Sequence, residues 1–182
     1  MNRRQLEHVL RAASRISEDH DILVIGSQSI LGSHDEDELP LEATSSMEVD
    51  VAFFDDPDDA KADLVDGAIG ELSPFHGTFG YYAQGVSATT AVLPEGWHER
   101  VIVFATPGTE PGRGLCLDPH DCVLSKLVAG REKDRAFASA LVSHRLIDLE
   151  VLAERVTTLD AHPLVLRQIG DWIDAQRPTT AS

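Results

Sequence analysis

Two apolar strands, separated by a glycine-serine pair and an acidic loop, occupy residues 22–54 and set the frame for the rest of the chain. Ile22, Leu23, Val24 and Ile25 form the first strand and Gly26-Ser27 follows. The second strand, residues 48–54, carries Glu48 and Asp50. Side chains alternate along a strand, so Glu48 and Asp50 project to one face while Val49 and Val51 project to the other. Two carboxylates on one face at the exposed end of a strand are a hard-oxygen ligand pair for magnesium or manganese. Gly26 lacks a Cβ, which permits a tight turn, a positive φ and close approach of a ligand. Ser27 falls at the start of the next helix or turn, where its hydroxyl and the local N–H groups can receive an anion.

The other elements are placed by periodicity and punctuation. Leu6, Val9, Leu10, Ala13 and Ile16 predict an amphipathic helix over residues 2–18. Residues 28–47 contain the run Asp35, Glu36, Asp37, Glu38, which reads as a solvated, mobile loop or, functionally, as a flank of the metal site or a recognition element for a basic partner. The Asp55–Asp59 region, with Pro57 in the first turn, opens a helix running to about Leu72, with Ala60, Leu64, Ala68 and Leu72 as its buried stripe. Short strands are expected at residues 81–86 and 88–93, then a turn set by Pro94 and Gly96. Tyr81, Tyr82 and Trp97 serve either to stack a base or, the more frequent use, to pack. A strand at residues 100–105 and another at 114–117 precede an all-helical remainder. Asp118 caps the first of these helices, Pro119 sits in its first turn and Gly130 ends or interrupts it. Further helices are expected around Phe137 to Val142, residues 146–156 and residues 163–175, with a polar, frayed end. Residues 1–182 are expected to form one domain, a sheet-containing core to about residue 117 and a helical part at about 118–176.

Charge limits the partners. Thirty-one acidic residues against 15 Lys and Arg give a formal net charge of -16, and such a field repels phosphate over long range, which disfavours a broad nucleic-acid or anionic-membrane footprint. Four of the 15 basic side chains, Lys126, Arg131, Lys133 and Arg135, nonetheless cluster in residues 125–135. If the helix continues through Gly130, Lys126 shares a face with Lys133 and Asp134, close to two turns on. That face either clamps a triphosphate while Asp134 completes a metal site, or is a surface helix of mutually paired charges. Cys116 and Cys122 are too few for a disulfide framework and read as reduced, partly buried thiols. No apolar run approaches the roughly 18 residues of a membrane span. The N-terminal segment, with Glu7 and no apolar centre, does not read as a signal peptide, so a cytoplasmic location is expected.

In order, Gly26-Ser27, the acidic-x-acidic Glu48-Val49-Asp50 and the downstream Lys126 and Asp134 resemble the nucleotidyltransferase superfamily of polymerase-beta-like fold. The segments Val24-Ile25-Gly26-Ser27-Gln28 and Ser125 to Asp134 look like its bacterial members related to the abortive-infection and type IV toxin group, over most of residues 20–140. The resemblance implies an α+β fold, a mixed β-sheet flanked by helices with a C-terminal helical part. It also implies metal-dependent transfer of NMP from an NTP to a hydroxyl on RNA (a tRNA end included), a protein or a small molecule, in a toxin–antitoxin or phage-defence setting. Glu48 and Asp50 would hold magnesium or manganese, with Asp134 as a third acidic group. Gly26 and Ser27 would hold phosphates, and Lys126, helped by Arg131 or Lys133, would offset charge on the leaving pyrophosphate. Glu48 stands where many members have Asp, a longer and less rigid arm. Two other readings use the same residues: a non-catalytic module of this fold acting through a protein partner, and a metal-dependent phosphohydrolase.

Overall fold

The computed structural model describes residues 1–177. Five strands form one mixed sheet: β1 (Asp21–Val24), β2 (Glu48–Ala52), β3 (Tyr82–Gly85), β4 (Ile102–Phe104) and β5 (Arg113–Cys116), in spatial order β3-β2-β1-β5-β4. β1 is antiparallel to β2 and parallel to β5, β2 is parallel to β3, and β4 is antiparallel to β5. The helices are α1 (Arg3–Ser17), α2 (Leu41–Thr44), α3 (Ala60–Ile69), α4 (Pro74–Phe79), α5 (Pro119–Ala129), α6 (Glu132–Ser143), α7 (Leu149–Arg155) and α8 (Pro163–Gln176). This mixed sheet flanked by helices is the expected α+β architecture. Among the described residues every strand ends before Leu117, and the remainder is helical. The buried apolar side chains form one cluster that runs from Leu6 in α1 to Ile173 in α8.

Two glycines reveal which helices cover which face. A Cβ at Gly85 would overlap the Ala62 carbonyl of α3, and one at Gly114 would meet Leu10 of α1 at 2.9 Å. Val51 is in register with Gly85, Val24 with Val51, and Ile22 with Gly114. Ile22, Val24, Val49 and Val51, all fully buried, therefore face α1 and α3, and alternation turns Glu48 and Asp50 to the opposite side. α1 starts at a capping box between Asn2 and Gln5 and buries Leu6, Val9, Leu10 and Ala13.

Several local expectations are corrected. The acidic run is solvated, with Asp35, Asp37 and Glu38 exposed, but residues 28–47 are not plain loop: a 3-10 helix at Ser27–Gly32 buries Ile30 and Leu31, and a second at Glu36–Glu38 is tied to α1 through Arg3, which pairs with Asp35. Apolar side chains inside a polar stretch gave this segment a reason to fold. α3 begins at Ala60, after Pro57, and Asp56 caps it by accepting from the N–H groups of Lys61 and Ala62 at 3.0 Å each. Its buried stripe is Ala62, Val65 and Ile69, while Leu64 is 58% and Leu72 90% exposed. Ala62 and Val65 match the spacing of a helix packed on a strand as well as the expected stripe does, and the contact with Gly85 selects them. Residues 88–93 form no strand, and α4, capped by Ser73, lies between the expected helix and the expected strand at residues 81–86, where no element was expected. Tyr81 packs against His8, Phe75 and Phe79, and Trp97 stacks on His98. Cys116 and Cys122 are buried free thiols. Most of the frayed end expected after residue 175 lies outside the described residues.

Candidate active site

Gly26 and Asp50 meet because β1 and β2 are antiparallel neighbours: the Ile25 N–H donates to the Asp50 carbonyl at 3.2 Å. Gly26 has φ -87°, so positive φ is not what requires glycine here. The requirement is space, since a Cβ would overlap the Asp50 carboxylate. The 3-10 helix at Ser27–Gly32 then places Ser27 at its first position, and α5 packs against it with the Cys122 thiol donating to the Gly26 carbonyl at 3.6 Å.

Asp118 caps α5 as expected, accepting from the His120 N–H at 2.9 Å, with Pro119 in the first turn. Gly130, at φ 69°, ends the helix in the left-handed region. The continuous helix that would have put Lys126, Lys133 and Asp134 on one face does not exist. A tight corner between α5 and α6 brings them together instead. At that corner the Arg131 guanidinium grips the buried Asp134 carboxylate, Nε to Oδ2 at 2.6 Å and Nη2 to Oδ1 at 3.2 Å, and Oδ2 also accepts from the Arg131 N–H. With both oxygens so engaged, Asp134 orients Arg131.

Two cavities share this corner. One, of about 370 Å³, is mostly apolar and lies against Ile25, Val86, Val92 and Val128; the other, of about 160 Å³, is polar and holds Ser27, Ser45, Ser46, Glu48, Lys133 and Asp134. Asp50, Lys126 and Arg131 line both. Together with Gly26, which lines the apolar cavity, all eight residues singled out from the sequence border one cavity or the other. Sequence reasoning passed over Ser45, Ser46 and the wall at residues 86–92. The serines sit in a stretch taken for loop and the wall in one taken for strand, and no motif marks either.

The electrostatics centre on Asp50. Burial, then the neighbouring charge of Glu48, pushes its carboxyl up to about 6, against the pull of Lys126 and Arg131. Two carboxylates forced together at a partly buried position form a donor set short of positive charge. Among the described residues no cluster of three or more His, Cys, Asp or Glu forms a metal cage. Magnesium does not need one: it is commonly held by one or two carboxylates, with waters and substrate phosphates completing the shell. The pair therefore fits a divalent cation. Among the described residues neither Lys126 nor Lys133 has a carboxylate within 4.0 Å, so both residues line the polar cavity without an ion-pair partner. Glu48 lies beside Tyr82, whose phenol is pushed up to about 12 by burial and by the Glu48 charge.

A family model described as a nucleotidyltransferase of unknown function (DUF6036) matches residues 4–168. No curated protein and no solved structure matches the chain. No described helix is long and apolar enough to cross a membrane.

Proposed function

The chain belongs to this nucleotidyltransferase family, and from that membership we propose that it transfers NMP from an NTP to a hydroxyl acceptor, with magnesium or manganese held by Glu48 and Asp50. The observation that carries the reading is the pair of cavities joined at Asp50, Lys126 and Arg131. An NTP is itself divided this way, an aromatic base and sugar at one end and a polyanion at the other. The apolar cavity falls within the usual size range of ligand pockets, roughly 300–1,000 Å³, and suits the nucleoside. The polar one, with Lys126, Lys133 and the Ser27 hydroxyl, suits the β- and γ-phosphates, which leaves the α-phosphate at the shared corner.

A bound divalent cation would neutralise the carboxylate pair and polarise the phosphate oxygens. The chain's own groups do the rest. Lys126, on the rigid α5, meets the negative charge that builds on the leaving pyrophosphate, and Arg131, aimed by Asp134, does the same without having to reorganise. Val86, Val92 and Val128 exclude water from the nucleoside side. In-line displacement brings the acceptor hydroxyl to the α-phosphate at Asp50 from the side opposite the leaving pyrophosphate, and its proton passes to solvent as the bond to the β-phosphate breaks. The likeness of residues 24–28 and 125–134 to the abortive-infection and type IV toxin group extends the proposal to a toxin–antitoxin or phage-defence role in the cytoplasm, where NTPs are abundant, with a protein partner.

Incubation with α-labelled NTPs and magnesium tests the reading. Label is expected on an RNA, protein or small-molecule acceptor with release of pyrophosphate, and Asp50→Asn is expected to abolish it. Absence of transfer with all four NTPs and all three acceptor classes would favour a non-catalytic binding module, and release of bare phosphate a phosphohydrolase.

A further inference from the structure

The two carboxylates are not held alike. Asp50 has a short arm, and its position is set by the space that Gly26 leaves open. Glu48 has one more rotatable bond and no such niche. In the parallel pairing of β2 with β3, Glu48 is in register with Tyr82 and Asp50 with Gln84. Gln84 is turned away and donates to Asp66 of α3 at 3.1 Å. Tyr82 is turned toward its neighbour, and its hydroxyl donates to Glu48 Oε2 at 3.4 Å. Apart from the Asp50 carboxyl, with which Glu48 shares a side-chain hydrogen bond, Tyr82 is the one side chain among the described residues that donates a hydrogen bond to the Glu48 carboxylate. The ring that carries the hydroxyl is itself backed by His76 of α4, with ring centroids 4.6 Å apart, and α4 is fixed by its Ser73 cap. The tether runs from a capped helix through an aromatic contact to the longer of two acidic arms.

From this we infer that Tyr82 is a positioning residue, which orients the flexible Glu48 carboxylate so that it and Asp50 bind a divalent cation together. The inference rests on the reading that Glu48 and Asp50 form a metal site. At 3.4 Å the contact is long for a hydroxyl-to-carboxylate bond. Removing such a supporting hydrogen bond typically weakens metal affinity by about tenfold or more, and the low end applies to a contact of this length.

The test measures the affinity for Mn²⁺ alone, by the loss of the free-ion electron paramagnetic resonance signal, and so needs neither NTP nor acceptor. Tyr82→Phe keeps the ring and removes only the hydroxyl, and its melting temperature relative to wild type reports whether the fold is kept. Expected are a roughly tenfold weaker Mn²⁺ affinity for Tyr82→Phe and a loss of less than about twofold when the same change is made on Glu48→Asp, whose shorter carboxylate has withdrawn from the phenol. A merely structural role for Tyr82 would cost the same in both backgrounds, and that result, or no change in either, overturns the inference. Asp50→Asn separates the two levels of the argument. Mn²⁺ binding that Asp50→Asn abolishes and Tyr82→Phe leaves alone removes the positioning role only, whereas binding indifferent to Asp50→Asn, or absent from wild type, removes the metal site and the positioning role with it.

Discussion

Gly26 is where a single missing methyl group matters most. Its backbone is ordinary, and its value lies in the volume it cedes to the Asp50 carboxylate. Gly26→Ala should therefore displace Asp50 and lose about 1–3 kcal/mol of stability through overpacking, with Mn²⁺ affinity falling in parallel. Gly77, inside α4, offers the contrast, because nothing lies within 4 Å of a Cβ built there. Gly77→Ala should leave binding intact and add about 0.5–1 kcal/mol of helix stability. Thermal melts and metal titrations of the two variants check both outcomes. The importance of Gly26 could be read from the chain, but the reason could not. A glycine after an apolar strand suggests a turn, and only the antiparallel pairing of β1 with β2 shows that the group needing room is a carboxylate 24 positions away.

The site at the scale of elements depends on how α5 is anchored at both ends. Its C-terminal end is set by Gly130, whose left-handed conformation makes the corner that carries Arg131. Its N-terminal end is locked by charge: Asp118 accepts from Arg155 of α7 at 2.6 Å, and the buried Asp121 pairs with Arg155 at 2.8 Å and with Arg100 at 2.9 Å. Burial alone would raise the Asp118 carboxyl, but hydrogen bonds from His120 and Arg155 outweigh it and hold the group well below the usual carboxylate range. A depressed folded-state value means that the stabilisation is fully present above the unfolded value, about 3.9, and is lost as pH falls below it. Asp118→Asn should thus be less stable than wild type by roughly 2–3 kcal/mol at neutral pH, with the gap closing below about pH 4. Urea denaturation of both proteins at several pH values checks the sign. The cap and the proline of α5 were legible from Asp118-Pro119, whereas the corner at Gly130 was one of two open readings. The helical spacing of Lys126 and Lys133 favoured the wrong one, because periodicity carries no record of a helix that stops and restarts.

Across the whole molecule, the mixed sheet collects residues from distant parts of the chain at one corner. β1 brings Gly26 and Ser27, β2 brings Glu48 and Asp50, β3 brings Tyr82, and the α5–α6 corner brings Lys126, Arg131, Lys133 and Asp134. The acidic strand and the basic segment could be recognised separately, since each has its chemistry in consecutive residues. The apolar cavity wall at residues 86–92, the pairing of Glu48 with Tyr82 and the clasp of Arg131 by Asp134 could not, because strand order, register and helix corners decide them. The net charge of -16 sharpens the contrast: uncommitted cations at the polar cavity of an acidic protein are expected to draw a compact polyanion rather than a long nucleic-acid backbone. Calorimetric titration with an NTP in the presence and absence of magnesium, on wild type, Asp50→Asn and Lys126→Ala, addresses that corner directly. The account predicts magnesium-dependent binding to wild type, loss of the magnesium dependence in Asp50→Asn and affinity at least about tenfold weaker in Lys126→Ala; equal binding by all three proteins, or none by wild type, would contradict it.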